Sequence, residues 1–346
     1  MGINMAKNKK NQYSGIGGQA VLEGIMMKNE EQYAVAVRKP DGDIEVEVDT
    51  YHGVVHGSKL LKIPFVRGIF QFVDSLILGM RCLNFSASFY EEEEAKETAA
   101  DKVFQKVFKD KAEKIFTGMI TVFSFLLAIA IFMVLPYFLT SLFEEYIRNA
   151  SLIAIIEGVI RIFIFVMYVL SISLMKDIKR VYMYHGAEHK CINCIEKGRP
   201  LTVYNVMRSS KQHKRCGTSF LLFVMLVSVV LFFFIRVESP VYRVLVRIAL
   251  IPVIAGISYE IIRLAGRSNN ILVRIISAPG MWLQGLTTKE PDKDMVEVAI
   301  AAVEAVFDWK AYLKDTFGYE IDESWLVDEE PENDRTGSEG NRREEP

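Results

Sequence analysis

His185 and His189 stand four apart in the run Tyr184-His185-Gly186-Ala187-Glu188-His189-Lys190, an H-x-x-E-H pattern. On a helix, two imidazoles one turn apart share a face, and that spacing lets both grip one tetrahedral ion. Glu188 is adjacent to that face, where its carboxylate can serve as general base toward a water the ion activates. The chemistry implied is metal-assisted hydrolysis, with zinc the first choice of divalent metal. The plain alternative is a polar helix with two incidental histidines.

Three of the five histidines, His185, His189 and His213, fall in one stretch, and Cys216 follows His213 by three residues. The order H-x-x-E-H mirrors H-E-x-x-H and is that of the inverted zincins, which draw a third ligand from a later helix. Glu260, 71 residues after His189, fits that role. His213 and Cys216 are rivals for it, and the spacing does not choose among the three.

Those residues must be positioned by something, and charge segregation says by what. Hydrophobic residues make up 51% of the 346 and charged residues 24%, near a soluble average, yet the mean hydropathy of +0.19 is high. Thr117 to Phe143 holds no Asp, Glu, Lys or Arg, and neither does Cys216 to Ile235. About 20 apolar helical residues cross a hydrocarbon core of roughly 30 Å, so a soluble enzyme is excluded. Four spans are expected: 117–143, 151–175, 216–235 and 241–264. The first contains Pro136, which neighbouring helices can accommodate. The second carries Glu157 and Arg161, four apart with the acid first, the favourable order for a helical ion pair. An ionisable pair inside a membrane is a functional candidate by default, although mutual neutralisation can also simply fix packing. The fourth is interrupted by Arg243, Arg247 and Glu260, which leave only Ile248 to Tyr259 uncharged; a re-entrant segment is the alternative to a full span.

Ten Lys and Arg residues lie between Lys176 and Arg215, against one Arg each in the loops 144–150 and 236–240. The positive-inside rule therefore places loop 176–215 in the cytoplasm, together with both termini. The extreme N-terminus shows no apolar stretch or small-residue cleavage site, so no cleavable signal peptide is expected. The four cysteines would then be reduced thiols. Net charge is −2, and the basic residues form no long stripe, so no nucleic-acid partner is expected.

Outside the spans, residues 1–12 read as disordered and 13–67 as a cytosolic β-containing unit. Within it Tyr33 to Lys39 and Ile44 to Val48 form two strands across a Pro40-Asp41-Gly42-Asp43 turn. Gly15, Gly17 and Gly18 suggest a tight turn, since no GK[ST] follows to make a phosphate loop. Gly68 to Phe89 reads as an amphipathic helix, either core or membrane-surface, and runs into a charged stalk, the two together spanning 68–115. Residues 265–327 form a cytosolic C-terminal segment with a helix over 292–314, and 328–346 an acidic disordered tail. Cys191-Ile192-Asn193-Cys194 is a C-x-x-C without a βαβ context or a second pair, and incidental placement is preferred. His52 and His56 read as ordinary loop or core histidines. The fold class is thus mainly α: a four-span helical membrane protein with a small cytosolic N-terminal β-containing unit.

Several short stretches together resemble the YqhQ-like family of bacterial membrane proteins, a domain of unknown function described as predicted metal-dependent enzymes. They are Gly17 to Met27, Tyr184 to Lys190, Arg215-Cys216-Gly217-Thr218-Ser219-Phe220, Ser258-Tyr259-Glu260, and Pro279-Gly280 with Thr287-Thr288-Lys289-Glu290-Pro291. The resemblance spans roughly 15–305. It implies a multipass protein of the bacterial cell (inner) membrane and points to His185, Glu188, His189, His213, Cys216 and Glu260; Cys191 and Cys194 lie outside it. The leading expectation is a metal-dependent hydrolase embedded in the membrane lipid bilayer and acting on a lipid headgroup, a membrane-proximal peptide or another amphiphile reached from the cytoplasm. A non-catalytic membrane scaffold or assembly factor is the alternative. A transporter using Glu157 and Arg161 is weaker, because no second half repeats the first.

Overall fold

A computed structural model describes residues 13–90, 111–235, 237, 239–267, 270–318 and 321. The disordered ends, the tail and most of the stalk expected above lie outside these residues. The described chain is mainly helical with one four-stranded antiparallel sheet near its start. It divides into a sheet unit, Met1–Tyr51 with Lys179–His213 and Thr288–Pro346, and a helical unit, His52–Ile178 with Lys214–Thr287.

In the sheet unit, β1 (Gly17–Val21), β2 (Gly24–Asn29), β3 (Gln32–Arg38) and β4 (Ile44–Thr50) pair in sequence order. The hairpin over the Pro40 turn stands as expected, with Arg38 opposite Ile44. The glycine-rich start departs from the tight turn expected: Gly17 and Gly18 are strand residues, opposite Lys28 and Met27. The reversals fall instead at Leu22-Glu23 and Glu30-Glu31, where Glu23 and Glu30 take the left-handed φ values 48° and 53°. Tyr33 to Val37 are all buried, so β3 is covered on both faces and does not alternate. The cross-strand pairs Ile25/Ala36 and Met27/Ala34 sit in a core with Tyr184, Ala187, Cys191 and Ile192 of one helix and Val296, Ala299 and Val303 of another. β4 closes the sheet as a mostly exposed edge bearing Glu45, Glu47 and Asp49, charges that discourage further pairing.

The helices, in chain order, are α1 (Val66–Ser88), α2 (Lys111–Ile129), α3 (Leu135–Ser141), α4 (Ala150–Ile172), α5 (Lys176–Glu196), α6 (Val203–Met207), α7 (Gly217–Phe234), α8 (Pro240–Ala249), α9 (Ile251–Arg267), α10 (Ile271–Thr287), α11 (Lys293–Glu304) and α12 (Trp309–Phe317). α2 continues into α3 through a π turn at Ala130–Val134, just ahead of Pro136, whose missing N–H frees a carbonyl one turn back. Among the described residues, three helices are long and apolar enough to cross a membrane: Gly118–Ser141, Ser151–Ile172 and Gly217–Phe234. A fourth candidate is the pair Val241–Ala249 and Ile251–Gly266, bent by 41° at Leu250, two residues before Pro252. The weakness read from its charges is thus a physical break.

α1 packs along α9. Gly256 meets the backbone of Phe65 and Gly68 meets Tyr259 so closely that neither position has room for a Cβ. Its opposite face leaves Val73, Leu76, Ile77 and Met80 exposed. α10 lies against α7 in the helical unit, where Leu283 joins Phe165, Val169 and Leu222 and Gln284 donates to Ser219 Oγ at 2.8 Å. Residues 271–287 therefore belong with the helices, while Thr288 onward belongs with the sheet.

Candidate metal centre

α5 carries the H-x-x-E-H run, and from Tyr184 to Ile192 every residue is buried. The sequence folds here as a helix whose apolar positions Tyr184, Ala187, Cys191 and Ile192 enter the sheet core. His185 and His189 consequently share one face, with ring centroids 4.4 Å apart. His213 stands with its ring 5.7 Å from that of His189.

His189 is 1% exposed, and its Nδ1 lies 2.7 Å from the Lys211 carbonyl oxygen. A carbonyl only accepts, so Nδ1 carries the proton and donates, and the lone pair is left on Nε2. This is the tautomer of a metal-ligating histidine oriented by a backbone carbonyl.

The loop that supplies this carbonyl is gripped by further α5 side chains. Lys190 Nζ donates to the carbonyls of Met207 (2.7 Å) and Ser209 (3.0 Å). Asn193 Nδ2 donates to those of Ser210 (2.7 Å) and Gln212 (2.9 Å). Glu196 faces His213 Nε2 at 3.4 Å and also accepts from the N–H and hydroxyl of Ser14. His189, Asn193 and Glu196 follow the i, i+4, i+7 spacing of one helix face, a signal present in the sequence but passed over.

Glu188 is fully enclosed. Burial pushes its carboxyl above the ordinary carboxylate range, against the opposing pull of charge on His185 and a hydrogen bond from the Gly18 N–H. The reason for glycine at 18 is visible here: a Cβ would fall 2.6 Å from the Met26 oxygen and 3.0 Å from Glu188 Cγ. A buried carboxyl with raised proton affinity is suited to take a proton near neutral pH.

A strap crosses the motif. Lys289 N–H donates to the Tyr182 carbonyl at 2.9 Å, and Glu290 bridges Lys190 (2.9 Å) and Lys211 (3.2 Å). Tyr184 hydroxyl donates to Glu23 at 3.2 Å, and Glu23 also takes both arms of Arg180. Sequence reasoning missed Lys190 and Glu196, whose partners lie 17 or more residues away in the following loop, and Glu290, which lies outside any helix and carries no periodicity.

The other expected ligands belong to the helical unit. Cys216 caps α7, accepting from the Thr218 N–H at 3.4 Å. Both Glu260 oxygens are engaged by Arg67, and the Phe65 N–H donates to one of them. Cys191 and Cys194 are buried free thiols of the sheet core.

These features define a mainly helical protein with three or four helices able to span a membrane and a buried polar site beside a small sheet. The chain belongs to the family described as "Protein of unknown function (DUF1385)", whose pattern matches residues 63–309. It is 37% identical over 289 residues to the "Uncharacterized protein YqhQ" of Bacillus subtilis (strain 168), over 82% of this chain and 89% of that one. No solved structure matches it.

Proposed function

We propose that the protein is a metal-dependent hydrolase of the bacterial cell membrane, with four spans, both termini in the cytoplasm and its site on the cytosolic face. His185 and His189 hold a divalent ion, zinc by ligand type, and Glu188 is the general base. The observation that carries this reading is the His189 tautomer: the Lys211 carbonyl fixes the proton on Nδ1 and leaves Nε2 available, 4.4 Å from a second buried imidazole in ring-centroid terms. His213, in the same unit, is one candidate for a third ligand, and Cys216, three residues on, is the other. Glu260 would first have to release Arg67. A substrate reached from the cytosolic membrane surface, a lipid headgroup or a membrane-proximal peptide, fits a site carried by a loop between spans.

The full enclosure of Glu188 beneath Gly18 supports a second reading, a scaffold whose polar cluster is structural. Glu188→Gln separates the two when metal content and hydrolysis of a panel of lipid esters and peptides are measured together. A hydrolase keeps its ion and loses turnover by about 100-fold or more, the size of a general-base contribution. Unchanged turnover, or turnover equally insensitive to chelator in both proteins, contradicts the proposal.

A further inference from the structure

The helical unit contains a second polar assembly, made of arginines stacked on aromatic rings. Arg243 lies over the Tyr137 ring at 4.8 Å. Arg247 lies over Tyr137 at 5.8 Å and over Phe232 at 4.9 Å, and Arg161 lies over Phe232 at 4.9 Å. Side-chain exposure falls along the series from 25% through 8% to 3%. The three guanidinium groups form a ladder from the bundle end into its interior.

Two carboxylates accompany them. Glu157 bridges the inner rungs, 2.5 Å from Arg161 and 2.8 Å from Arg247, and Glu144 lies 3.8 Å from Arg243. Ser228 Oγ accepts from Arg161 at 3.2 Å, and the Val237 carbonyl accepts from Arg243 Nε at 2.9 Å. The described ladder therefore carries one positive charge in excess, and the buried Arg161 Nε has no hydrogen-bond partner among the described residues. An unmatched charge in a membrane helix costs about 2.5–3.5 kcal/mol on insertion scales, so excess of this kind marks an ion or ligand position. Cation–π stacking offsets part of that cost but supplies no hydrogen-bond acceptor.

Depth identifies what can reach it. Arg243 is three residues into α8, about 5 Å along the axis, and Glu157 is seven residues into α4, about 10 Å. The outer rung thus lies near the level of lipid headgroups and the inner rungs below it. Guanidinium forks match the oxygens of a phosphate and are weakly hydrated, which suits them to this depth.

We infer that Arg243 and Arg247 form an anion site for a phosphate group, whose source is either the headgroup of an anionic phospholipid or a soluble phosphate. The site is independent of the metal reading.

The test uses the full chain purified in detergent. Retention of phosphatidylglycerol and phosphatidylcholine is measured by native mass spectrometry, and thermal protection by inorganic phosphate is measured in parallel. The expected result is at least fivefold preference for phosphatidylglycerol, lost in Arg243→Gln and Arg247→Gln and increased in Glu144→Gln, which raises the excess charge by one. Protection by inorganic phosphate with the same variant pattern assigns the site to a soluble anion instead. Arg243→Gln, at the quarter-exposed end, decides the matter if Arg247→Gln does not fold. Equal retention of both lipids with no phosphate protection overturns the inference, and so does a Glu144→Gln variant that weakens binding as Arg243→Gln does.

Discussion

Gly186 lies so close to Lys289 that a Cβ at position 186 would stand 2.0 Å from the Lys289 carbonyl oxygen. The glycine inside the H-x-x-E-H run is thus the place where the 288–291 strap crosses the helix. Gly186→Ala gains about 1 kcal/mol of helix propensity. Against this, it must displace a backbone atom tied down by the Lys289 to Tyr182 hydrogen bond, and overpacking of that kind costs about 1–3 kcal/mol. The clash should win, and a lower thermal midpoint than wild type in the same detergent is the expected measurement.

Glu290 makes a pH-dependent contribution to that strap. Burial works to raise its carboxyl, but hydrogen bonds from Lys190 and Lys211 outweigh burial and hold it below the ordinary carboxylate range. A depressed folded-state value means stability that is present above the unfolded carboxylate value, about 4.3, and is lost as pH falls through the lower folded value. The side chain is 62% exposed, so screening by water limits the effect to about 1 kcal/mol or less. Glu290→Gln should melt slightly below wild type at pH 7, with the difference closing at pH 3. A difference that persists undiminished at pH 3 would show that the ion pairs are not its source.

The Cys191 and Cys194 thiols should be unreactive in the folded protein. Burial raises Cys191 well above the ordinary thiol range and pushes Cys194 up to about 12, which leaves almost no thiolate at neutral pH. Mass spectrometry after maleimide treatment at pH 7 should find neither modified until denaturant is added. Rapid labelling of either thiol under native conditions would revive a redox role for the pair.

The β3–β4 hairpin and the long apolar helices were readable because their signals are local: a turn flanked by strand residues, and long uncharged runs. The first hairpin was not. Gly17 and Gly18 look like turn residues, yet both lie in a strand, and a Cβ at 18 would fall 2.6 Å from the Met26 oxygen of the paired strand and 3.0 Å from Glu188 Cγ, 170 positions away. Glu260 illustrates the same limit, since nothing near it in sequence announces Arg67 as its partner. Of the candidate site, the helix face with His185 and His189 was legible from spacing alone, whereas the loop that orients His189 depends on Lys190, Asn193 and Glu196 acting at long range.

Elemental analysis by mass spectrometry of the detergent-purified protein, beside His185→Ala/His189→Ala, His213→Ala and Cys216→Ala, asks whether the two buried imidazoles hold an ion. The expected result is about one equivalent of zinc, iron or manganese per chain, abolished in the double variant and reduced in whichever single variant removes the third ligand. A folded wild-type protein prepared without chelator that contains no metal, or a double variant that keeps it, would contradict the hydrolase and favour the scaffold.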